Sequence, residues 1–189
     1  MRKNFGSKPY VYPQPVFIIA SYDENGVADA MNAAWGGIAN TKQIALYLAI
    51  HHKTVKNILQ QKAFTVSMAD VQHVVEADYV GIVSANDFID KLSRVHFHTM
   101  KSSFVEAPII EELPMTLECQ LVSYDEKTEL LIGEIVNVSA DEKILGEDGK
   151  IDPAKLQPII FDPVHNAYLS IGKKVGNAFK DGLQLNKKS

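Results

Sequence analysis

A single cysteine, Cys119, is the only thiol in this 189-residue chain, so neither an intrachain disulfide nor a cysteine-based zinc site can form. Nothing in the composition calls for an oxidising compartment, and the sequence reads as a cytoplasmic protein. Long hydrophobic runs are also missing. The longest apolar stretches, Val16 to Ala20 and Ile44 to Ile50, fall far below the roughly 20 residues of a membrane-crossing helix. Met1-Arg2-Lys3 is basic, but Asn4, Gly6, Ser7 and Lys8 stand where a signal peptide carries its apolar core. Positive charge is scarce too: 19 Lys and Arg against 23 Asp and Glu give a net charge of -4, with no field to gather a phosphate backbone or an anionic membrane. Nucleic acid is therefore not an expected partner. The Gly-rich dinucleotide and phosphate-loop signatures, the HExxH zinc motif and the GxSxG nucleophile elbow are all absent.

What is present is an ordinary globular balance, 46% hydrophobic and 22% charged, with no repeat or biased segment to mark a boundary. One domain over residues 1–189 is expected. Val16 to Ala20 is β-prone, and Asp23-Glu24-Asn25-Gly26 behind it is a turn that returns Val27 to Asn32 antiparallel. Ile44 to Ile50 is apolar on both pleat faces, which predicts a strand covered on both sides and central to its sheet. Thr54 is read as the N-cap of a short helix carrying Val55, Ile58 and Leu59, before Phe64 to Met68 resumes strand character. From Gln72 to Ser84, Val75, Tyr79, Ile82 and Val83 fall at helical spacing and predict a second helix despite Gly81, with Asp87 capping a third. Met115 to Leu121 alternates, and Leu130 to Val138 pairs with it across Asp125-Glu126-Lys127. Gly146 to Lys150 reads as a surface excursion, and Asp152-Pro153 opens a brief helix. Antiparallel neighbours with short inserted helices give a mainly β fold, a Greek-key-like barrel with peripheral helices.

Few residues carry obvious chemistry. His96 and His98 would share a strand face but have no third ligand at a metal spacing. Cys119 sits in an alternating apolar strand and reads as a core residue, and Glu111-Glu112 reads as a solvated turn. No catalytic side chain is assigned. His51-His52-Lys53, at the end of a strand and the start of a helix, is either a polar loop or an anion site. Ala30-Met31-Asn32-Ala33-Ala34-Trp35-Gly36-Gly37 is either a core tryptophan beside a tight turn or the wall of a flat ligand's site. In the second case small side chains let the ligand approach the backbone, Asn32 supplies donors and acceptors, and Trp35 an aromatic surface.

The order of these segments resembles the flavin reductase-like family, with its FMN-binding split barrel, and within it the flavoredoxin-like branch. The resemblance runs from Pro15-Val16 through Met31 to Ile38, Lys53-Thr54, Asn57-Ile58, Glu76 to Ser84, Asp90-Lys91, Ala107-Pro108, Ile132 to Val136 and the tail from Ala167-Tyr168 to Phe179. It implies non-covalent FMN, a homodimer with the flavin at or near the subunit interface, and NAD(P)H as electron donor to a protein or small-molecule acceptor. Carried over, Asn32, Ala33, Ala34 and Trp35 line the flavin, Lys53 and Thr54 meet its phosphate, Lys91 lies near the cofactor and Phe161 near the ring. Asp78 and Tyr79 stand in the matching helix. At Thr128, relatives often carry a histidine, so this chain lacks a titratable ring there.

Overall fold

The computed structural model describes residues 1–186. The chain opens with β1 (Gln14–Pro15), β2 (Phe17–Tyr22), β3 (Ala28–Ala33), β4 (Gly36–Asn40) and β5 (Gln43–Tyr47). Helix α1 (Lys53–Gln61) leads into β6 (Ala63–Met68), followed by α2 (Val74–Ile82), α3 (Lys91–Arg94), β7 (Thr99–Lys101) and β8 (Pro108–Ile110). The long hairpin β9 (Met115–Asp125) and β10 (Leu130–Ala140) precedes α4 (Pro153–Leu156), β11 (Ile159–Asp162) and β12 (Ala167–Ser170).

Seven strands form one antiparallel sheet in the order β3-β2-β6-β9-β10-β5-β4. Its two edges, β3 and β4, are neighbours in sequence, joined only by Ala34 and Trp35. Three virtual bonds span about 11 Å at most, so a sheet of this width must curl until its edges meet. They meet without pairing, which makes the fold a barrel split between β3 and β4, as the sequence predicted.

The inside of the curl is filled by Phe17, Ile19, Ile44, Leu46, Phe64, Val66, Leu117 and Leu131, with Val55 and Ile58 of α1 closing one end. A second cluster covers the outer face of β2: Val16, Ile18 and Ala20 meet Ala77 and Val80 of α2, Leu92 of α3 and Ile110 of β8. Strand β2 is thus buried on both faces.

That second layer explains where the sequence misleads. The doubly covered strands are β2 and β6, whereas β5 lies next to the edge. Ile44, Leu46 and Leu48 point inward and Tyr47 is exposed, so apolar character on both faces of Ile44 to Ile50 did not mean two covers. Helix α2 is present but buries Ala77 and Val80, leaving Val75 and Ile82 at 76% and 74% exposure. Small side chains allow close approach to β2 and β3, and of the predicted stripe Tyr79 packs partly buried against the same cluster. Thr54 is the second helical residue of α1 rather than its cap, a place taken by His52, and α3 follows Asp90 rather than Asp87. His96 and His98 lie outside any strand, His98 pairing with Glu112 at 2.6 Å. Asp152 does cap α4, accepting from the Ala154 N–H at 2.8 Å.

Candidate functional site

The seam between the sheet edges opens into a cleft of about 290 Å³. One wall is Met31 to Trp35, running off the end of β3, and the opposite wall is Tyr47 to Ala49. Phe161 and Tyr168 enter from the paired strands β11 and β12, and His52 comes from the start of α1. Backbone bonds fix the walls: the Tyr47 N–H donates to Trp35 O at 2.9 Å, and Leu48 is held by its N–H on Glu129 O and by the Tyr124 hydroxyl on its carbonyl, at 2.9 and 2.7 Å. Ala33 and Ala34 leave backbone reachable along one wall. Trp35 is 53% exposed, which removes the reading of a core tryptophan.

Polar tethers fix the back of the cleft. Asn32 Nδ2 donates to Ala77 O of α2 at 2.9 Å and lies 3.4 Å from the Tyr168 hydroxyl. Tyr168 donates to Asp78 Oδ1 at 2.8 Å, so α2, β3 and β12 share one chain of contacts. Burial, reinforced by that bond, pushes the Tyr168 hydroxyl up to about 12 and keeps it a neutral donor at physiological pH. Gly81 is what lets α2 sit this close: a Cβ there would lie 2.8 Å from Asn32 Cβ.

A second tether joins α1 and α3 to β3. Thr54 Oγ1 donates to Asp29 Oδ2 at 2.6 Å, and Lys91 Nζ stands 2.9 Å from Asp29 Oδ1, all three side chains buried. Lys91 Nζ also reaches Val83 O at 3.3 Å. Thr54, expected at a phosphate, and Lys91, expected near the cofactor, are thus turned inward onto a carboxylate, and what faces the cleft at this end is His52. Burial, with His51 and Lys91 close by, lowers its pKa, so its imidazole is neutral at neutral pH.

Of the residues singled out from sequence, Asn32, Ala33, Ala34, Trp35 and Phe161 come together around the cleft. Lys53 is the first residue of α1, half-buried beside His52. Thr54 and Lys91 lie in the Asp29 tether, and Thr128 is exposed in the β9–β10 turn, outside the cleft lining. Sequence reasoning missed Tyr168 and Asp29 as site-forming residues. Asp29 had a signal: it is the one charge in the otherwise apolar and amide run Ala28 to Ala33, and a charge in such a run is buried only when paired. Cys119 is fully buried and its thiol is pushed up to about 12 by burial, in keeping with a core residue. Among the described residues no trio of metal-ligating side chains stands together, and no helix is long and apolar enough to cross a membrane.

The arrangement fits a flat, partly aromatic ligand with an anionic end. Edge strand β3 offers unpaired backbone groups on its outer side, the alanines admit a ring, Trp35, Phe161 and Tyr168 flank it, and the start of α1 with His52 and Lys53 suits an anion. Comparison with known proteins agrees in kind. Residues 9–161 match the family described as Flavin reductase like domain. The fold is similar to flavoredoxin of Desulfovibrio vulgaris (Miyazaki F), 35% identical, with a TM-score of 0.92 over 96% of this chain and 100% of that one. Flavoredoxin from Methanosarcina acetivorans is 25% identical, with a TM-score of 0.88 over 98% and 99% of the two chains. An FMN-binding domain of a flavin reductases-like enzyme from Shewanella baltica shares the fold at 19% identity, with a TM-score of 0.78 over 87% and 89%.

Proposed function

This chain belongs to the flavin reductase like family, and on that premise we propose that it holds FMN non-covalently in the seam cleft and works as an oxidoreductase with NADH or NADPH as electron donor. The observation that carries the reading is the cleft itself. An unpaired sheet edge of small residues faces three aromatic side chains, with a helix start at one end. Bound there, FMN supplies the hydride and electron chemistry. The chain's own residues do the rest. Ala33 and Ala34 admit the ring to the β3 backbone, Asn32 and Tyr168 hold α2 against that strand, and Lys53 with His52 meets the phosphate. That chemistry requires no side-chain base.

The similarity to two flavoredoxins favours a second reading, an electron carrier that exchanges electrons with a partner protein and does not turn over NAD(P)H. The test is anaerobic stopped flow on the FMN-loaded protein. Loss of oxidised-flavin absorbance on adding NADH or NADPH, followed by many turnovers with an added acceptor, supports the reductase. Failure of both donors leaves the carrier, and a protein that neither carries flavin colour nor gains thermal stability with FMN ends both readings. For the phosphate end, Lys53→Ala is expected to weaken FMN about tenfold and riboflavin hardly at all, because a charge-assisted bond of roughly 1.5 to 3 kcal/mol is lost only with the phosphate. Equal weakening of both ligands would move Lys53 away from the phosphate.

We also propose that the protein is a cytoplasmic homodimer with the cleft near the subunit contact. Trp35 and Tyr47, which flank the opening, are each about half exposed, and a partner subunit would cover such aromatic surface.

A further inference from the structure

Residues 171–186 leave the end of β12, and every side chain whose burial is described, 171–185, is exposed. The segment is nonetheless built. The Asn177 N–H donates to Asp181 Oδ2 at 2.8 Å, and its side-chain amide meets Asp181 Oδ1 at 3.2 Å. The N–H groups of Lys180 and Asp181 return to Asn177 O, and Asp181–Asn186 forms a short 3-10 helix. Along it Ile171, Val175, Phe179 and Leu183 recur at every fourth residue, with Val175 and Phe179 wholly exposed. Phe179 holds a φ of 60°, a left-handed conformation uncommon for a bulky residue, inside that hydrogen-bonded turn.

The body has an apolar face with the same lack of a partner. Val71 before α2, Val75 and Ile82 on it, and Phe88 and Ile89 after it are all exposed. Over residues 71–90 the chain carries Glu76, Asp78, Asp87 and Asp90 and no lysine or arginine, whereas residues 171–186 carry Lys173, Lys174 and Lys180 against Asp181 alone. The two surfaces therefore agree in apolar character and oppose in charge. They also share one side of the molecule, because Tyr168 of β12, two residues before the strand ends, bonds Asp78 of α2.

We propose that residues 171–186 form a strap that packs on the α2 face of a second copy of this chain, with the straps exchanged reciprocally. A two-fold axis beside α2 sets each strap root next to the other copy's α2, the self-complementary arrangement of a closed dimer. This rests on the homodimer reading above and assigns the segment that makes the contact.

The experiment compares the full chain with a form ending at Ser170 and with Val175→Asp, Phe179→Asp, Val75→Asp and Ile82→Asp, all by sedimentation equilibrium. All four substituted residues are exposed, so the folded chain is retained, which circular dichroism checks. Removal of the strap and each of the strap and α2 substitutions should weaken dimerisation by about a hundredfold or more, the fold-change that losing one or two buried apolar side chains implies. Separate copies carrying Val75→Cys and Val175→Cys, mixed and treated with a short bis-maleimide, should link between copies, since the native Cys119 is buried. A full chain that is monomeric at every concentration overturns the dimer and the strap together. A dimer of unchanged strength after truncation, or cross-links only within a chain carrying both cysteines, overturns the strap and leaves the homodimer standing.

Discussion

Strands β6, β9 and β10 and the edge strand β3 belong to one sheet yet are held by different forces. In the barrel wall each strand has a neighbour on both sides, and specificity comes from packing: Phe64 is fully buried and fills the space over Gly133, where a Cβ would lie 2.3 Å from its ring. Strand β3 has a strand neighbour on one side only. Side chains on its two faces hold three helices instead: Asp29 takes Thr54 of α1 and Lys91 of α3, and Asn32 takes the Ala77 carbonyl of α2. These directional bonds anchor β3 without a second strand beside it. They leave the edge open to a ligand, which a further strand would have closed.

The largest effect should come from the tether. Lys91 and Asp29 are each about 95% or more buried, and removing one partner strands the other's charge. Asp29→Asn is expected to destabilise by about 3 to 5 kcal/mol, and the double variant Asp29→Asn with Lys91→Met by much less, because a buried pair replaced whole is often near neutral. Chemical denaturation of the four proteins measures the cycle. Additive losses would mean that the pair is not coupled and that β3 is held another way.

In the wall, Gly133→Ala should cost about 1 to 3 kcal/mol from overpacking on Phe64, part of it regained in Phe64→Leu, where the ring is gone. FMN affinity of the folded protein should not change. Ala34→Leu should reverse that pattern, with little change in melting temperature and a loss of about tenfold or more in affinity for both FMN and riboflavin, as cleft volume is filled. If Gly133→Ala impaired binding as much as Ala34→Leu did, wall and edge would be one unit and the contrast would fail.

How much of this could be read from residues depends on the same contrast. The β2–β3 and β9–β10 hairpins were legible because turn chemistry and alternation are local. The position of β5 was not, since apolar residues on both pleat faces mark a buried strand or merely an exposed tyrosine and a small alanine, and only the layer of α2, α3 and β8 decides which. The stripe on α2 showed the helix but not all of its buried face: alanine gives a weak signal in hydrophobic periodicity, yet Ala77 is fully buried while Val75 and Ile82 are exposed. Around the cleft, Asn32 to Trp35 could be found as one continuous segment. Tyr168 is 136 residues from Asn32 along the chain, and no spacing rule connects them. Thr54 was expected at the phosphate and Lys91 near the cofactor, and the carboxylate of Asp29 that joins them was not seen.

The smallest expected effect concerns His52 and is one of pH. Its pKa is lowered in the folded protein, chiefly by burial and then by His51 and Lys91. Folding therefore releases protons from this group, and its contribution to stability falls as pH drops from its unfolded value near 6.5 toward the lower folded one. A phosphate dianion set against the ring does the opposite and raises the pKa, so FMN binding should take up a proton between the free and bound values. Affinity of the wild-type protein for FMN should then rise on acidification relative to His52→Gln, by about tenfold or less for a single partly exposed group. The variant cancels the titration of the phosphate itself, which is common to both proteins, and riboflavin should show no such difference. Isothermal titration of FMN in buffers of different ionisation enthalpy counts the proton directly. No uptake beyond that of the His52→Gln variant would place the phosphate away from His52, leaving the tethered edge of β3 as the part of the cleft that binds.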